Sequence, residues 1–176
     1  HFKHIYVDIG DSQSLSDNLS TFSGHMKNLA EILSNVGGKD LVLLDEVGTG
    51  TSPKEGEAIA YAIMQYLLKK HAFTLISSHF EGLKAFALSN PNVSNASMIF
   101  DEEHLLPTYK LKMGLPGESY GIVVAERFGI PSEVLSMAKG YVSSHEDLSV
   151  SEAIKKLGEE TRKAELEKDK AIAKEK

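Results

Sequence analysis

LVLLDEVGTGTSP, residues 41–53, sets four aliphatic residues ahead of two adjacent acids, Asp45 and Glu46, and then turns through a glycine-threonine run. A short, continuously apolar stretch of this kind fits a strand buried on both faces, as at the centre of a parallel sheet. Such a strand carries its last residues to the carboxyl edge of the sheet, where α/β proteins bind ligands. The two acids then have two readings. In one they hold a metal and a water beside a phosphate. In the other they are an acidic lead into the next helix and nothing more.

Working outward, Ser52-Pro53-Lys54-Glu55 announces that helix. Ser at the N-cap, Pro at the first helical position and Glu three residues after the cap predict a capping box. Ile59, Ile63, Met64 and Leu67 supply its apolar stripe. On the other side, Ser20 or Thr21 is placed to cap a helix whose face carries Phe22, Met26, Leu29, Ile32 and Leu33, and Gly37-Gly38 stops it. FKHIYVDI, residues 2–9, and FTLIS, residues 73–77, read as two further buried strands, with a polar loop, DSQSLSDNLS, after the first. His79 starts a short helix. Alternating strands and helices predict an α/β domain with a parallel sheet.

After Pro91 the texture changes. NASMIF and PTYKLKM alternate apolar and polar residues and predict a pair of antiparallel strands on the edge or flank of the sheet. Two short helices follow, at about 119–129 and 131–143, separated at Pro131. From Ser149 to Lys176 charges of both signs dominate, with Glu152 and Lys156, and Glu159 and Lys163, at i,i+4 spacing. Val150, Ile154, Leu157, Thr161, Ala164 and Ala171 trace a seam that Lys168 interrupts. A coiled coil and a solvated single helix are both compatible with it.

Composition narrows the classes. The chain has 176 residues, 41% hydrophobic and 25% charged, an ordinary globular balance. It has no run of about eighteen apolar residues and no basic-then-apolar leader, so neither a membrane span nor a signal peptide is predicted. Cys is absent, which excludes disulfides and thiolate metal sites and fits a cytoplasmic protein. The net charge of −6 argues against a dominant nucleic-acid surface on this segment. His1 and His4 have HxxH spacing without further ligands, and Asn18, Asn92 and Asn95 open N-x-S matches that mean nothing without secretion.

Four aliphatics followed by an acid form the Walker B pattern, in which the first carboxylate holds Mg²⁺ through water and the second orients the attacking water. Three features share its neighbourhood. FTLISSHF puts His79 just beyond the next strand, GTGTSP makes a glycine-rich turn after Glu46, and LSTFSGHM opens a helix on Ser20-Thr21, an anion-binding terminus. Each has an ordinary reading in isolation: a local hydrogen bond, a connecting loop, an N-cap. Together they fall in the order of ABC-type ATPases. With DEVGTGTSPKEG, SSHFEGLKAFA, NASMIFDEEHLLPTYKLKMGLPGESYG and GIPSEVLSMAK, the chain resembles the MutS family, and within it the second bacterial branch, whose members carry a C-terminal Smr domain. The resemblance runs from about residue 4 to about residue 143.

That resemblance implies a partial P-loop NTPase of the ABC type, a three-layer α/β fold, over residues 1–143, with residues 144–176 starting a charged helical linker. It implies ATP and Mg²⁺ as cofactors. Asp45 would coordinate Mg²⁺, Glu46 would position the hydrolytic water, and His79 would sense the γ-phosphate. Ser20 and Thr21 would reach the nucleotide of the partner subunit in a homodimer, and Gly48, Thr49, Gly50, Thr51 and Ser52 would form the loop crossing the dimer interface.

One part of such a site is missing. The phosphate cradle, G-x-x-x-x-G-K-[ST], has no match. The only Gly-Lys pair is Gly38-Lys39, with Asp40 where Ser or Thr belongs and Leu33 where the first Gly belongs. In the family the P-loop precedes the first strand seen here, so the chain reads as a fragment that begins after it and ends before the Smr domain and its nuclease residues. On this reading the fragment neither binds ATP tightly nor hydrolyses it. Two functions for the intact protein follow from the resemblance: an ATP-driven machine that acts on branched or irregular DNA and restrains recombination, and an ATPase that splits stalled ribosomes; a third reading makes this chain a non-catalytic dimerisation module.

Overall fold

The computed structural model describes residues 1–10, 21–101, 104, 106–117 and 119–145. The chain divides into two compact units, His1–Leu83 and Lys84–Lys176. In the first, β1 (Ile5–Asp8), β2 (Leu41–Leu44) and β3 (Phe73–Ile76) alternate with α1 (Thr21–Asn35) and α2 (Pro53–Lys69). The strands form one parallel sheet in the order β1-β2-β3, with Ile5 beside Leu41 and Leu41 beside Phe73. The predicted α/β grammar is therefore present, and all three strands end at the same edge.

Among the described residues only β2 is central, and helices cover one face of the sheet. Val42 and Leu44 are buried, together with Leu29, Ile32 and Val36 from α1 and its end and Ala60, Ile63, Met64 and Leu67 from α2. The opposite face carries Ile5, Val7, Phe73 and Leu75, all exposed. The expectation that β1 and β3 are buried strands is thus corrected. A sheet growing in one direction through right-handed crossovers places both helices on the same side. Apolar residues on the other face report a requirement for cover that α1 and α2 cannot supply.

Pro53 opens α2 as predicted, but the capping box closes differently. The Ser52 hydroxyl caps no amide and donates instead to Glu55 Oε2 at 3.0 Å. A hydroxyl bond to an ionised carboxylate is stronger than one to a neutral partner, so the two halves of the box engage each other.

At the amino end of the strands Asp40 is buried. Its Oδ2 accepts from the Gly37 amide at 2.8 Å, and its Oδ1 accepts from the His4 amide and lies against His4 Nδ1, both at 3.1 Å. Burial works to raise this carboxyl, but the bonds from Gly37 and His4, with the imidazole charge, hold it below the ordinary value of 3.8. A carboxyl lower in the folded than in the unfolded chain adds stability above the unfolded value and loses it as pH falls below 3.8 toward the folded one. Asp40→Asn is therefore expected to flatten the acid limb of stability. Urea midpoints of both proteins, followed down from about pH 6, test this; parallel curves would refute it.

In the second unit, β4 (Ala96–Asp101) and β5 (Leu106–Met113) pair antiparallel, with an irregularity between Ile99 and Phe100. They make their own two-stranded sheet instead of extending the parallel one. Phe100 stacks on Tyr120 at 4.5 Å between ring centres, and Asn95 Nδ2 donates to the Lys84 carbonyl at 3.0 Å. α3 (Glu81–Ser89) spans the division between units, and α4 (Gly121–Arg127) and α5 (Ser132–His145) match the two predicted helices. The predicted charged tail, its seam and its i,i+4 pairs lie outside the described residues, as does Ser20.

Candidate functional site

The carboxyl ends of the three strands bring Asp8, Asp45 and Ser77 to one edge. The Asp45 amide donates to the Asp8 carbonyl at 2.8 Å, and the Ser77 amide to the Leu44 carbonyl at 2.9 Å, so the ladder continues one residue past β2 and β3. The Ser77 hydroxyl then bridges the acids: it donates to Asp45 Oδ1 and accepts from the Glu46 amide at 2.9 Å. One oxygen of Asp45 is spent in this bond, and the other stays available.

Glu46 has φ 48°, in the left-handed region. For a residue with a Cβ this costs about 1–2 kcal/mol and persists only when neighbours enforce it. Here Ser77 holds its amide, and Thr49 donates to its carbonyl through Nα at 3.2 Å and Oγ1 at 2.8 Å. The kink sends the Glu46 side chain to His79, whose Nδ1 lies 2.9 Å from Oε2. Both side chains are more than half exposed, so the pair is worth little as a stabilising contact. Its place beside Asp45 gives it chemical interest.

The loop after Glu46 needs its glycines. Gly48 and Gly50 have φ 86° and 88°, and the Gly48 backbone lies directly on Gly56 in the first turns of α2. Gly10, Phe22, His25, Asp45, Glu46, Thr49 and Gly50 line a cleft of about 290 Å³. Of the residues singled out from sequence, Asp45, Glu46, Thr49 and Gly50 meet there, and His79 joins through Glu46. Gly48 is buried under the loop, while Thr51 and Ser52 turn to Glu55 at the start of α2. Thr21 opens α1.

Sequence reasoning missed two groups. The sequence marks Ser77 only as the end of a strand. Asp8, 6% exposed, accepts from His25 Nδ1 at 3.0 Å and from Asn28 Nδ2 at 2.8 Å. The available signal was an acid inside an otherwise apolar strand, with His25 and Asn28 three residues apart on the facing helix.

The donor set suits Mg²⁺ held with a phosphate. No three His, Cys, Asp or Glu side chains among the described residues cluster closely enough to cage a metal. Mg²⁺ does not need a cage: it keeps several waters and takes one or two carboxylates plus substrate phosphates. Gly38-Lys39 sits before β2, at the opposite end of the strands, and supplies no cradle here. Among the described residues no helix is long and apolar enough to cross a membrane.

Residues 1–146 match MutS domain V, the ATPase domain of its family. The chain is 46% identical over 145 residues to Endonuclease MutS2 of Ruminiclostridium cellulolyticum, covering 82% of this chain and 18% of that protein. It is 47% identical over 135 residues to Endonuclease MutS2 of Thermus thermophilus, covering 77% and 18%. Against Endonuclease MutS2 of Clostridium botulinum (strain Loch Maree / Type A3) the identity is 42% over 165 residues, covering 94% and 21%. The chain thus spans about a fifth of the length of the curated relatives it matches. By these matches the chain corresponds to the ATPase region of MutS2 proteins and belongs to the MutS family.

Proposed function

We propose that this chain supplies the hydrolytic part of an ATPase site that is completed by other parts of a longer protein. The observation that carries this reading is the Asp45–Glu46–His79 arrangement at the carboxyl edge of the sheet, with Glu46 held in a left-handed kink. Residues 1–143 form the C-terminal part of a P-loop NTPase of the ABC type, and residues 144–176 begin a charged helical linker. The open sheet face with Ile5, Val7, Phe73 and Leu75 supports a larger domain, since contiguous apolar surface of this kind calls for a partner layer. Among the described residues the outer edges of β1 and β3 pair with no further strand, which leaves room for one leading into a P-loop.

Mg·ATP supplies the electrophilic γ-phosphorus and a cation that neutralises charge on the phosphates. Asp45, with one oxygen tied to Ser77, offers the other to a water of the cation. Glu46 takes the proton of the attacking water. His79, bonded to Glu46 through Nδ1, offers Nε2–H to a phosphate oxygen when both ring nitrogens carry protons. Ser20 and Thr21 contact the nucleotide of the partner subunit in a head-to-tail homodimer, and Gly48, Thr49, Gly50, Thr51 and Ser52 cross between subunits. The whole protein is cytoplasmic and acts on branched or irregular DNA. The word endonuclease in the relatives' names favours nucleic acid over a purely structural module.

A Mg·ATP titration of the 176-residue chain, beside a longer chain carrying a G-x-x-x-x-G-K-[ST] segment ahead of it, tests the reading. Only the longer chain is expected to bind, because the cradle and its Lys supply charge-assisted bonds worth about 1.5–3 kcal/mol each. Tight binding by the short chain, or none by the longer one, would overturn it.

A further inference from the structure

Asp8 and His25 have no part in the hydrolytic site as assigned above, yet His25 lines its cleft and Asp8 holds His25. Both oxygens of the buried Asp8 carboxylate are engaged from one face of α1, by His25 Nδ1 and Asn28 Nδ2. An ionised carboxylate only accepts, so His25 donates through Nδ1, and Nε2 is the ring nitrogen left over. The imidazole is 16% exposed, and what it exposes lines the cleft that also holds Asp45 and Glu46. A carboxylate bonded to one nitrogen of a histidine is how proteins fix the tautomer and aim of the other.

Pinning α1 to β1 does not require this imidazole. Asn28 already does so twice, through Asp8 Oδ1 at 2.8 Å and the Val7 carbonyl at 3.1 Å. In the tautomer that Asp8 selects, Nε2 is an acceptor. It lines a cleft whose charged walls, Asp45 and Glu46, are acceptors too, and the Thr49 hydroxyl there already donates to the Glu46 carbonyl, so what Nε2 meets is a donor from outside the wall. The described donor set is too dispersed to cage a metal directly, but water in a cleft of about 290 Å³ can reach all three.

We propose that His25, aimed by Asp8, is a further positioning residue of the ATPase site, accepting through Nε2 one hydrogen bond from a water whose other proton is directed to Glu46. Asp8 acts through His25, and Asn28 is a structural pin. This inference rests on the ATPase reading given above.

The test uses the full-length protein with His25→Gln, Asp8→Asn, the double variant and Asn28→Ala. We expect His25→Gln and Asp8→Asn each to lower kcat about tenfold or more, with KM for Mg·ATP within about twofold. The double variant is no slower than the slower single one, as for residues acting as a unit. Asn28→Ala lowers Tm and leaves kcat unchanged. Independently of turnover, ¹⁵N-histidine NMR of the 176-residue chain should find His25 in the Nδ1–H form, and Asp8→Asn should abolish that preference. Equal kcat in wild type and His25→Gln, losses in His25→Gln that follow Tm as in Asn28→Ala, or an Nε2–H ring would each overturn the proposal. A wild-type protein that turns over no ATP would instead refute the ATPase reading, and the NMR result would still judge the Asp8–His25 pair.

Discussion

Glu46→Gln in the full-length protein is expected to lower ATP turnover by about a hundredfold or more while leaving nucleotide affinity within a few-fold. A positioned general base contributes about 10²–10⁴ to rate, and Gln has the shape of Glu without its basicity. The amide oxygen can still accept from His79 Nδ1, so the 2.9 Å contact and the left-handed kink at residue 46 survive. Asp45 and its bond from Ser77 are untouched, which preserves metal binding. Single-turnover ATP hydrolysis, with the Kd of Mg·ATP measured in parallel, separates the two quantities. Turnover within about threefold of wild type would move the base to another residue.

Gly56→Ala should produce the largest loss of stability, about 3 kcal/mol, or roughly 6–12 °C in Tm. A Cβ at Gly56 would stand 2.1 Å from the Gly48 carbonyl oxygen and 3.2 Å from Phe80 Cζ. The obstacle is backbone, and Gly48, at φ 86°, cannot retreat without losing the turn that follows Glu46. The reciprocal contact is as close: a Cβ at Gly48 would lie 2.3 Å from the Gly56 oxygen. Phe80 touches both glycine positions and packs its ring 4.6 Å from that of His79, so the displacement reaches the site as well as the core. Gly140→Ala in α5 is the contrasting case. Nothing lies within 4 Å of the added carbon, and helix propensity predicts a gain of up to about 1 kcal/mol. Thermal unfolding of both variants checks the pair; an unchanged Tm for Gly56→Ala would mean that the loop does not sit on α2.

Much of this was legible in the sequence, for identifiable reasons. Hydrophobic period and turn residues placed β2, α1, α2 and the β4–β5 pair within a few residues, because burial of a face is written locally. The limits show at β1 and β3. Their apolar composition marks them as strands, but among the described residues helices cover one face only, and Ile5, Val7, Phe73 and Leu75 stand exposed on the other. The capping box is a second case, since composition at residues 52–55 cannot say whether the hydroxyl meets an amide or the carboxylate beside it.

The sequence by itself determined the order of the elements, the strand that ends on Asp45 and Glu46, the glycines of the following loop and the histidine after the next strand. Tertiary structure alone decided how those groups meet. Ser77 bridges to Glu46 across 31 residues, His79 reaches it across 33, and His25 reaches Asp8 across 17. None of these spacings leaves a periodic trace, because a hydrogen bond between strand ends is specified by the register of the sheet and not by neighbours along the chain. The left-handed turn at Glu46 has the same origin. No local preference asks a glutamate for φ 48°, and bonds from Ser77 and Thr49, delivered by the fold, hold it there.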